Sequence, residues 1–340
     1  MSRISVSLNA SSADMSAVRQ AIEQIDQNFI DLYGDVVDIP QGRLSLAAGT
    51  PVRTSNVSSA INIYYTPYIG QMVPIYNGTT FDMVDIGGDL VNVTTDATTN
   101  PAAAAITSVY DMFIWLNNGV PTLSRGPAWT SNAVRSAGTA LARIRGLMTN
   151  AVAITNGPAQ YMGTYVGTIA TNSATATVSW IFGGVAAGGT KAVLGVWNMY
   201  NRVTIQTRVT DSAVPYTYTT AVVRYANGSA NNAIMYVIGM AEEPPTFYYQ
   251  QTVTTAAAAG ATVQVSIGDD SSTVMELGGT FFQAQAAFAA TGTLDAVYTK
   301  GQGETIIGLH TASAIELGDG LNANTFNVGS LGELSGIIRM

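Results

Sequence analysis

From Leu44 onward the chain consists of short apolar runs that alternate with polar residues, and this pattern constrains the fold more than any other feature. Gly, Pro, Asn and Asp interrupt the runs at short spacing, as in SAINIYYTPYIG (59–70) and LVNVTTDATT (90–99). Alternation bounded by turn residues is typical of antiparallel strands. Strands do not alternate with helical segments, as they would in a parallel α/β fold. The sequence therefore predicts a mainly β protein with β-sandwich or jelly-roll-like domains.

Three local patterns refine this expectation. The Asn77-Gly78 pair between MVPIY and TTFDMV predicts a hairpin with a type I′ turn, in which both residues take positive φ. Residues 101–118 fit either a short helix or a buried strand, because periodicity does not separate the two. The apolar pair Ile337-Ile338 predicts that the last residues form a strand.

One segment, from Ser12 to Tyr33, contains no Gly or Pro and is predicted as a helix that ends at Gly34. Its apolar residues follow the 3-4-3-4-3 spacing of a coiled-coil seam. These seam residues are Met15, Val18, Ile22, Ile25, Phe29 and Leu32. β-Branched residues at d positions disfavour two strands, so the six residues are the predicted interface of a homotrimer. The alternative is an amphipathic helix packed on its own chain.

Charged residues are scarce, which indicates that much of the surface is covered. They make up 11% of the sequence, against about a quarter in ordinary soluble proteins. The two lysines, Lys191 and Lys300, leave few of the charges that normally guard exposed strand edges. We therefore expect obligate assembly with copies of the same chain or with neighbouring proteins.

Charge and composition also exclude several classes of protein. A net charge of −8 argues against nucleic acid as a partner. The arginine group Arg125, Arg135, Arg143 and Arg145 is interpreted as solvated or paired on a sheet. No cysteine is present, and no signal-peptide pattern or apolar run of about eighteen residues occurs, so neither signal-directed secretion nor membrane insertion is expected.

Candidate catalytic residues are few. His310 is the one histidine, so a histidine pair or a multi-histidine metal site is impossible within one chain. Neighbouring carboxylates, of the kind that glycan-cleaving enzymes use, are interpreted as loop residues. They are Asp82 with Asp85, Glu242 with Glu243, and Asp269 with Asp270. The sequence predicts no enzyme, no catalytic residue, no cofactor and no metal site; GGVAAGGTK lacks the residue order of a phosphate loop, and the Asp319 loop lacks calcium-loop spacing.

Aromatic residues form two clusters that allow two interpretations. The rings belong either to a carbohydrate or protein contact surface or to the interior of a sheet or subunit seam. The clusters are Tyr64, Tyr65, Tyr68 and Tyr76, and Phe247, Tyr248 and Tyr249.

The pattern along the chain predicts four segments. Residues 1–42 hold the N-terminal anchor and the coiled-coil helix, and residues 43–182 form a β-rich module. Residues 183–189 (GGVAAGG) are a predicted linker, and residues 190–340 a C-terminal β-sandwich-like domain.

Several phrases of the β-rich module occur in one order that resembles a module of structural proteins of tailed bacteriophages. The resemblance covers about residues 43–180 and contains no catalytic signature. The phrases are RLSLAAGTPV (43–52), IYYTPYIGQMVPIYNGTTF (63–81), PTLSRGPAW (121–129), VRSAGTALARI (134–144) and ITNGPAQYMGTYVGT (154–168).

This resemblance implies a virion protein that is assembled in the host bacterial cytoplasm. We expect an elongated homotrimeric fibre or spike whose N-terminal region binds portal, neck, tail or capsid proteins and whose distal region meets a glycan or protein of the host surface. A capsid decoration protein, or head fibre, and a glycan-degrading tailspike are the alternatives.

Overall fold

The fold is mainly β, as the alternation in the sequence predicts. The computed structural model describes residues 18–24, 39–172, 175–255, 261–275, 284–288, 294–303, 306–327 and 332–340. Two short 3-10 turns lie at Ala137–Thr139 and Ala226–Gly228. In chain order the strands of these residues are β1 Gly42–Ser45, β2 Val57–Ala60, β3 Asn62–Pro67, β4 Met72–Tyr76, β5 Phe81–Asp85, β6 Leu90–Val93, β7 Val109–Asn117, β8 Val120–Ala128, β9 Leu141–Ile144, β10 Leu147–Asn150, β11 Thr164–Ala170, β12 Val178–Ile181, β13 Val185–Ala186, β14 Ala192–Leu194, β15 Val196–Asn198, β16 Thr204–Asp211, β17 Tyr216–Tyr218, β18 Arg224–Tyr225, β19 Ala233–Ile238, β20 Thr246–Thr254, β21 Ala261–Asp269, β22 Ala284–Phe288, β23 Leu294–Gln302, β24 Gly308–Leu317, β25 Asn324–Phe326 and β26 Gly332–Arg339.

The described part of the N-terminal region is helical. Residues 18–24 form the helix α1, inside the predicted helix from Ser12 to Tyr33. The other seam positions, Met15, Ile25, Phe29 and Leu32, lie outside the described residues. The prediction of a helix is thus confirmed for the described turns, while the coiled coil and the trimer stay predictions.

Residues 109–117 of the ambiguous segment 101–118 form the strand β7, and residues 101–108 are bends and irregular backbone. β7 lies between β8 and β11, and its first six residues are buried. Burial on both faces explains the continuous apolar pattern, which looks the same in a buried helix and in a central strand.

The predicted hairpin at Asn77-Gly78 is present, but its turn differs from the prediction. β4 pairs with β5 from Met72 opposite Asp85 to Tyr76 opposite Phe81, so the loop contains four residues. Gly78 has positive φ, whereas Asn77 does not. The side-chain oxygen of Asn77 instead accepts hydrogen bonds from the backbone N–H groups of Thr79 and Thr80. This Asx turn makes the type I′ geometry unnecessary.

Five sheets build the described part of the chain. A three-stranded sheet has the order β1-β3-β6, and β4 and β5 form a hairpin. A six-stranded sheet has the order β8-β7-β11-β10-β9, with β15 also paired to β11. An eight-stranded sheet has the order β2-β12-β14-β19-β24-β21-β22, with β18 on β24. A seven-stranded sheet has the order β13-β16-β26-β20-β25-β17, with β23 on β20.

The two largest sheets pack face to face and form a sandwich. Tyr236 on β19 contacts Phe247 on β20, with ring centroids 5.4 Å apart. Gly336 on β26 lies against Ile234 and the same Phe247, and a Cβ at this glycine would come within 3.1 Å of either side chain. Alternate residues of β16, β20 and β26 are buried in this layer, as expected for strands with one face in a core.

Strand pairing connects the segments 43–182 and 190–340. β2 and β12 belong to the same sheet as β14 and β19, and one buried apolar cluster includes residues of both segments. Within residues 183–189, β13 pairs in parallel with β16. The two segments thus share a sheet and a core, and their separation into domains stays a prediction.

The C-terminal residues form a strand, as predicted from Ile337-Ile338. β26 pairs with β16 along its whole length, from Thr204 opposite Arg339 to Asp211 opposite Gly332. Ile338 is buried and Ile337 faces outward, and Met340 is completely buried. The tail is therefore part of the sandwich core.

Candidate functional site: interaction surfaces and ionic clusters

The described helix carries an exposed apolar residue at a predicted seam position. Ile22 is 54% exposed, while Val18 is half-buried. The residues between them are polar or small and exposed. A solvent-exposed isoleucine on an otherwise polar helix surface, such as Ile22 on α1, is a candidate for contact with another chain.

A second exposed apolar group lies at an edge of the seven-stranded sheet. Among the described strands, β17 is the last at this edge. Val214 precedes it and is 81% exposed, and Val222 and Leu321 are 58% and 85% exposed. The loops that carry Val222 and Leu321 are joined by the hydrogen bond from Gly320 N–H to the Thr219 carbonyl, 2.7 Å long. An open strand edge with aliphatic neighbours is a surface that proteins normally cover.

His310 lies beside a carboxylate that the sequence did not connect with it. Its Nδ1 is 2.8 Å from Asp270 Oδ2, and its Nε2 is 3.0 Å from the Ile306 carbonyl oxygen. Burial lowers the pKa of His310, but the hydrogen bond and charge of Asp270 outweigh burial and raise it above its usual value. Both ring nitrogens face acceptors, an arrangement that favours imidazolium and leaves no nitrogen to take a proton from a nucleophile.

The other neighbouring carboxylates are held by donors of their own chain. Glu242 pairs with Arg202, and Glu243 Oε1 accepts a hydrogen bond from Arg339 Nη1 at 2.9 Å. In the 82–85 pair, Asp82 accepts from the Asn77 side chain and Asp85 from the backbone N–H of Gly87. These contacts are typical of surface ion pairs and turns.

Among the described residues, two arginines are buried, Arg125 and Arg43, and the sequence alone did not indicate this. Arg125 was interpreted as solvated or paired, but it is 1% exposed. Its Nη2 donates to the carbonyls of Thr94, Asp96 and Ala102, and its Nε donates to Asn92 Oδ1 at 3.0 Å. Burial lowers the pKa of this guanidinium. The side chain fixes the loop after β6 against β8.

Arg43 fixes the start of the β region to the C-terminal strand. It is 2% exposed and donates from Nε to the Pro51 carbonyl at 3.0 Å and from Nη2 to the Met340 carbonyl at 2.9 Å. Its Nη1 also donates to the Asn201 carbonyl. Burial lowers the pKa of Arg43 to about 10.

Asp111 and Arg135 form a buried ion pair at the junction of the two segments. Arg135 Nε donates to Asp111 Oδ2 at 2.8 Å, and Arg135 Nη2 donates to the Gly239 carbonyl at 2.7 Å. The guanidinium also lies 4.5 Å from the centre of the Trp129 ring. Burial lowers the pKa of Arg135, but Asp111 more than compensates and raises it.

The predicted aromatic clusters divide between interior and surface. Phe247 and Tyr249 are buried, while Tyr248 between them faces outward and is half-buried. In the first cluster Tyr65 is buried and Tyr68 is 43% exposed. Alternation along β20 explains the division of the second cluster. The interior interpretation is confirmed for Tyr65, Phe247 and Tyr249, and a contact surface formed by the outward rings stays a prediction.

The Asp319 loop is closed by its own backbone. The Asp319 carboxylate accepts hydrogen bonds from the Asn322 side chain and from the N–H groups of Leu321, Asn322 and Thr262. Burial raises the pKa of Asp319, but these hydrogen bonds outweigh burial and lower it to about 2. Among the described residues, no group of three or more His, Cys, Asp or Glu side chains is arranged to hold a metal ion. No helix of these residues is long and apolar enough to cross a membrane.

Comparisons with known proteins give no family. No protein-family model and no curated protein matches the chain. A solved structure titled "Structure of infectious bursal disease virus Gt strain" is similar at 10% identity over 89% of this chain and 76% of that chain, with a TM-score of 0.12. A TM-score of this size carries no argument about fold or function.

Proposed function

We propose that the chain is a structural protein of a tailed-bacteriophage virion, a homotrimeric fibre or spike that contributes to host attachment. The phrases that resemble virion proteins, in residues 43–180, support the virion as its location. Assembly is supported above all by one observation, the exposure of Ile22 at a seam position of α1. Three copies of α1 would cover this side chain, and the β region would then project from the helical bundle.

The proposal assigns mechanical and binding roles to the chain and no chemical step. The buried arginines connect distant parts of the β region, which gives the stiffness that a fibre needs. The open edge at β17, with Val214, Val222 and Leu321, is a second surface for contact with a neighbouring copy or virion protein.

The oligomeric state is tested by light scattering coupled to size exclusion. A trimer has a mass of about 106 kDa, three times the 35.5 kDa of one chain. We expect Ile22→Asp to reduce this mass toward one chain, because a charge in an apolar seam is costly. Gln20→Asp adds the same charge at an exposed position of α1 and serves as the matched control.

A wild-type monomer, or equal effects of Ile22→Asp and Gln20→Asp, contradicts the coiled coil. Location is tested with gold-labelled antibody on phage particles from cells that carry this gene. Label at the tail or neck supports a fibre or spike, label on the head supports capsid decoration, and particles without label refute the virion assignment.

A further inference from the structure

The outward face of the seven-stranded sheet presents a row of polar and aromatic side chains. Alternation along β16, β26 and β20 sends every second side chain into the sandwich and the others outward. In the outward set Arg208 lies opposite Ser335, Ser335 opposite Tyr248, and Tyr248 opposite Lys300. Residues directly opposite on neighbouring strands are about 5 Å apart, so the row is continuous across four strands.

A shallow cleft crosses this row. Tyr248, Gln250, Glu333 and Ser335 line it, and its volume is about 190 Å³. This is smaller than the pockets that enclose a whole ligand, so the cleft offers an open surface on which one ring can lie. The lining combines an aromatic ring with an amide, a carboxylate and a hydroxyl. A half-buried ring presents an apolar surface, and the three polar groups donate and accept hydrogen bonds. This set matches a sugar, which has an apolar ring face and hydroxyls around its edge.

The charges around the cleft favour an acidic sugar. Arg208 Nε donates to Glu333 Oε2 at 2.6 Å, so these two charges balance each other. The ammonium of Lys300 lies 5.5 Å from the centre of the Tyr248 ring. Within the described part of the chain, Lys300 has no carboxylate partner. On this face, therefore, the described residues place an exposed ammonium group beside the half-buried Tyr248 ring.

We propose that this sheet face binds an acidic oligosaccharide, with a sugar ring on Tyr248 and the sugar carboxylate at Lys300. Gln250, Glu333 and Ser335 bond the hydroxyls. The inference rests on the proposed role in host attachment, in which an acidic polysaccharide of the host surface would be the ligand of this face. A second copy of the chain is the other possible occupant, and the test separates the two.

The test begins with the assembled full-length protein on an array of acidic and neutral glycans. We expect binding to at least one glycan that contains a uronic or sialic acid. Calorimetry then compares this glycan with its carboxyl-reduced form, which we expect to bind about fivefold or more weakly because the contact with Lys300 is lost. The neutral form keeps the sugar ring and the linkages, so it isolates the carboxylate.

Variants locate the site on the protein. We expect Tyr248→Ala to raise Kd about tenfold and Lys300→Ala about fivefold, as removal of one central ring and one rim charge does. Tyr64→Ala, at a half-buried ring of the other aromatic cluster, and Lys191→Ala, at the other lysine, are the matched controls and should leave Kd within about twofold. If Tyr248→Ala does not fold, Lys300→Glu at an exposed position replaces it in the comparison.

Three outcomes overturn the proposal. They are absence of binding to every acidic glycan, equal binding of the carboxyl-reduced form, and a loss of binding in the controls that equals the loss in the Tyr248 or Lys300 variants. If Tyr248→Ala lowers the mass of the purified assembly in light scattering and the wild-type protein binds no glycan, the face is assigned to contact with a second copy of the chain. If the antibody labels virions but the glycan array shows no binding, the glycan site alone is refuted. If the array shows binding but virions carry no label, the virion assignment alone is refuted.

Discussion

Substitution of Asp111 tests whether the two β segments unfold together. The Asp111 side chain is fully buried and accepts four hydrogen bonds. Two come from Arg135, at 2.8 and 3.1 Å, and the others come from Thr168 at 2.7 Å and Trp129 at 3.2 Å. Asp111→Ala leaves the Arg135 guanidinium without a counter-charge in a site where its side chain is 15% exposed. Removal of one partner of a buried pair costs about 3–5 kcal/mol, and we expect a loss of this size.

The assay is equilibrium unfolding in urea at a fixed protein concentration, followed by tryptophan fluorescence and by circular dichroism. Because Arg135 also bonds the Gly239 carbonyl after β19, we expect both signals to move to lower urea in a single transition. Arg135→Ala and the double variant complete a cycle, in which the double variant should lose about 1–3 kcal/mol less than the sum of the single losses.

A loss below about 1 kcal/mol for Asp111→Ala refutes the claim that this pair is buried and structural. Separation of the two signals into distinct transitions refutes the shared core and supports the predicted division at residues 183–189. If the losses of the two single variants add up to the loss of the double variant, the two side chains act independently. This result would contradict the hydrogen bonds between Asp111 and Arg135.

Three further predictions concern single sites. The pKa of His310 is raised in the folded protein, so protonated His310 stabilises the fold fully below its unfolded pKa of 6.5. This stabilisation is lost as the pH rises through the folded pKa. In scanning fluorimetry, the difference in Tm between the wild-type protein and Asp270→Asn should therefore shrink as the pH rises above 6.5. Arg125→Met removes the hydrogen bonds of a buried guanidinium to three backbone carbonyls. The Thr94 and Asp96 carbonyls keep donors in the Ala104 N–H and the Asn100 side chain, so we expect a cost of about 1–3 kcal/mol in urea unfolding. A methyl group in Gly239→Ala would lie 2.3 Å from a tyrosine hydroxyl and should cost about 1–3 kcal/mol in the same assay, whereas Gly184→Ala, with its nearest contact at 3.6 Å, should cost less.

The sequence predicted the fold class because strand signals are local. Alternation and turn residues predicted the β region and the hairpin at Asn77-Gly78, and both are present. The predicted type I′ turn was wrong, because the preference of Asn-Gly for this turn competes with an Asx turn that uses the Asn77 side chain. Segment 101–118 stayed open because a central strand and a buried helix give the same apolar run.

Contacts between distant residues escaped the sequence analysis. His310 and Asp270 are forty positions apart, and they meet because β24 pairs with the end of β21. Arg125 was expected to be solvated or paired because arginine is rarely buried, and only the fold shows the carbonyls that satisfy Arg125 and Arg43. Even a correct list of strands does not give the order of strands in a sheet, which decides all three contacts.

Scarce charge and exposed aliphatic side chains together favour assembly. Fourteen basic and twenty-two acidic residues already make a charge-poor chain. Of these, Arg43, Arg125, Asp111, Asp211 and Glu316 are buried and contribute nothing to the solvated surface. The surface of one chain therefore lacks these five charges, while Leu321 and Val214 remain more than four-fifths exposed. A free monomer with such a surface tends to associate, so covering these side chains in an assembly accounts for both the missing charge and the exposed aliphatic groups.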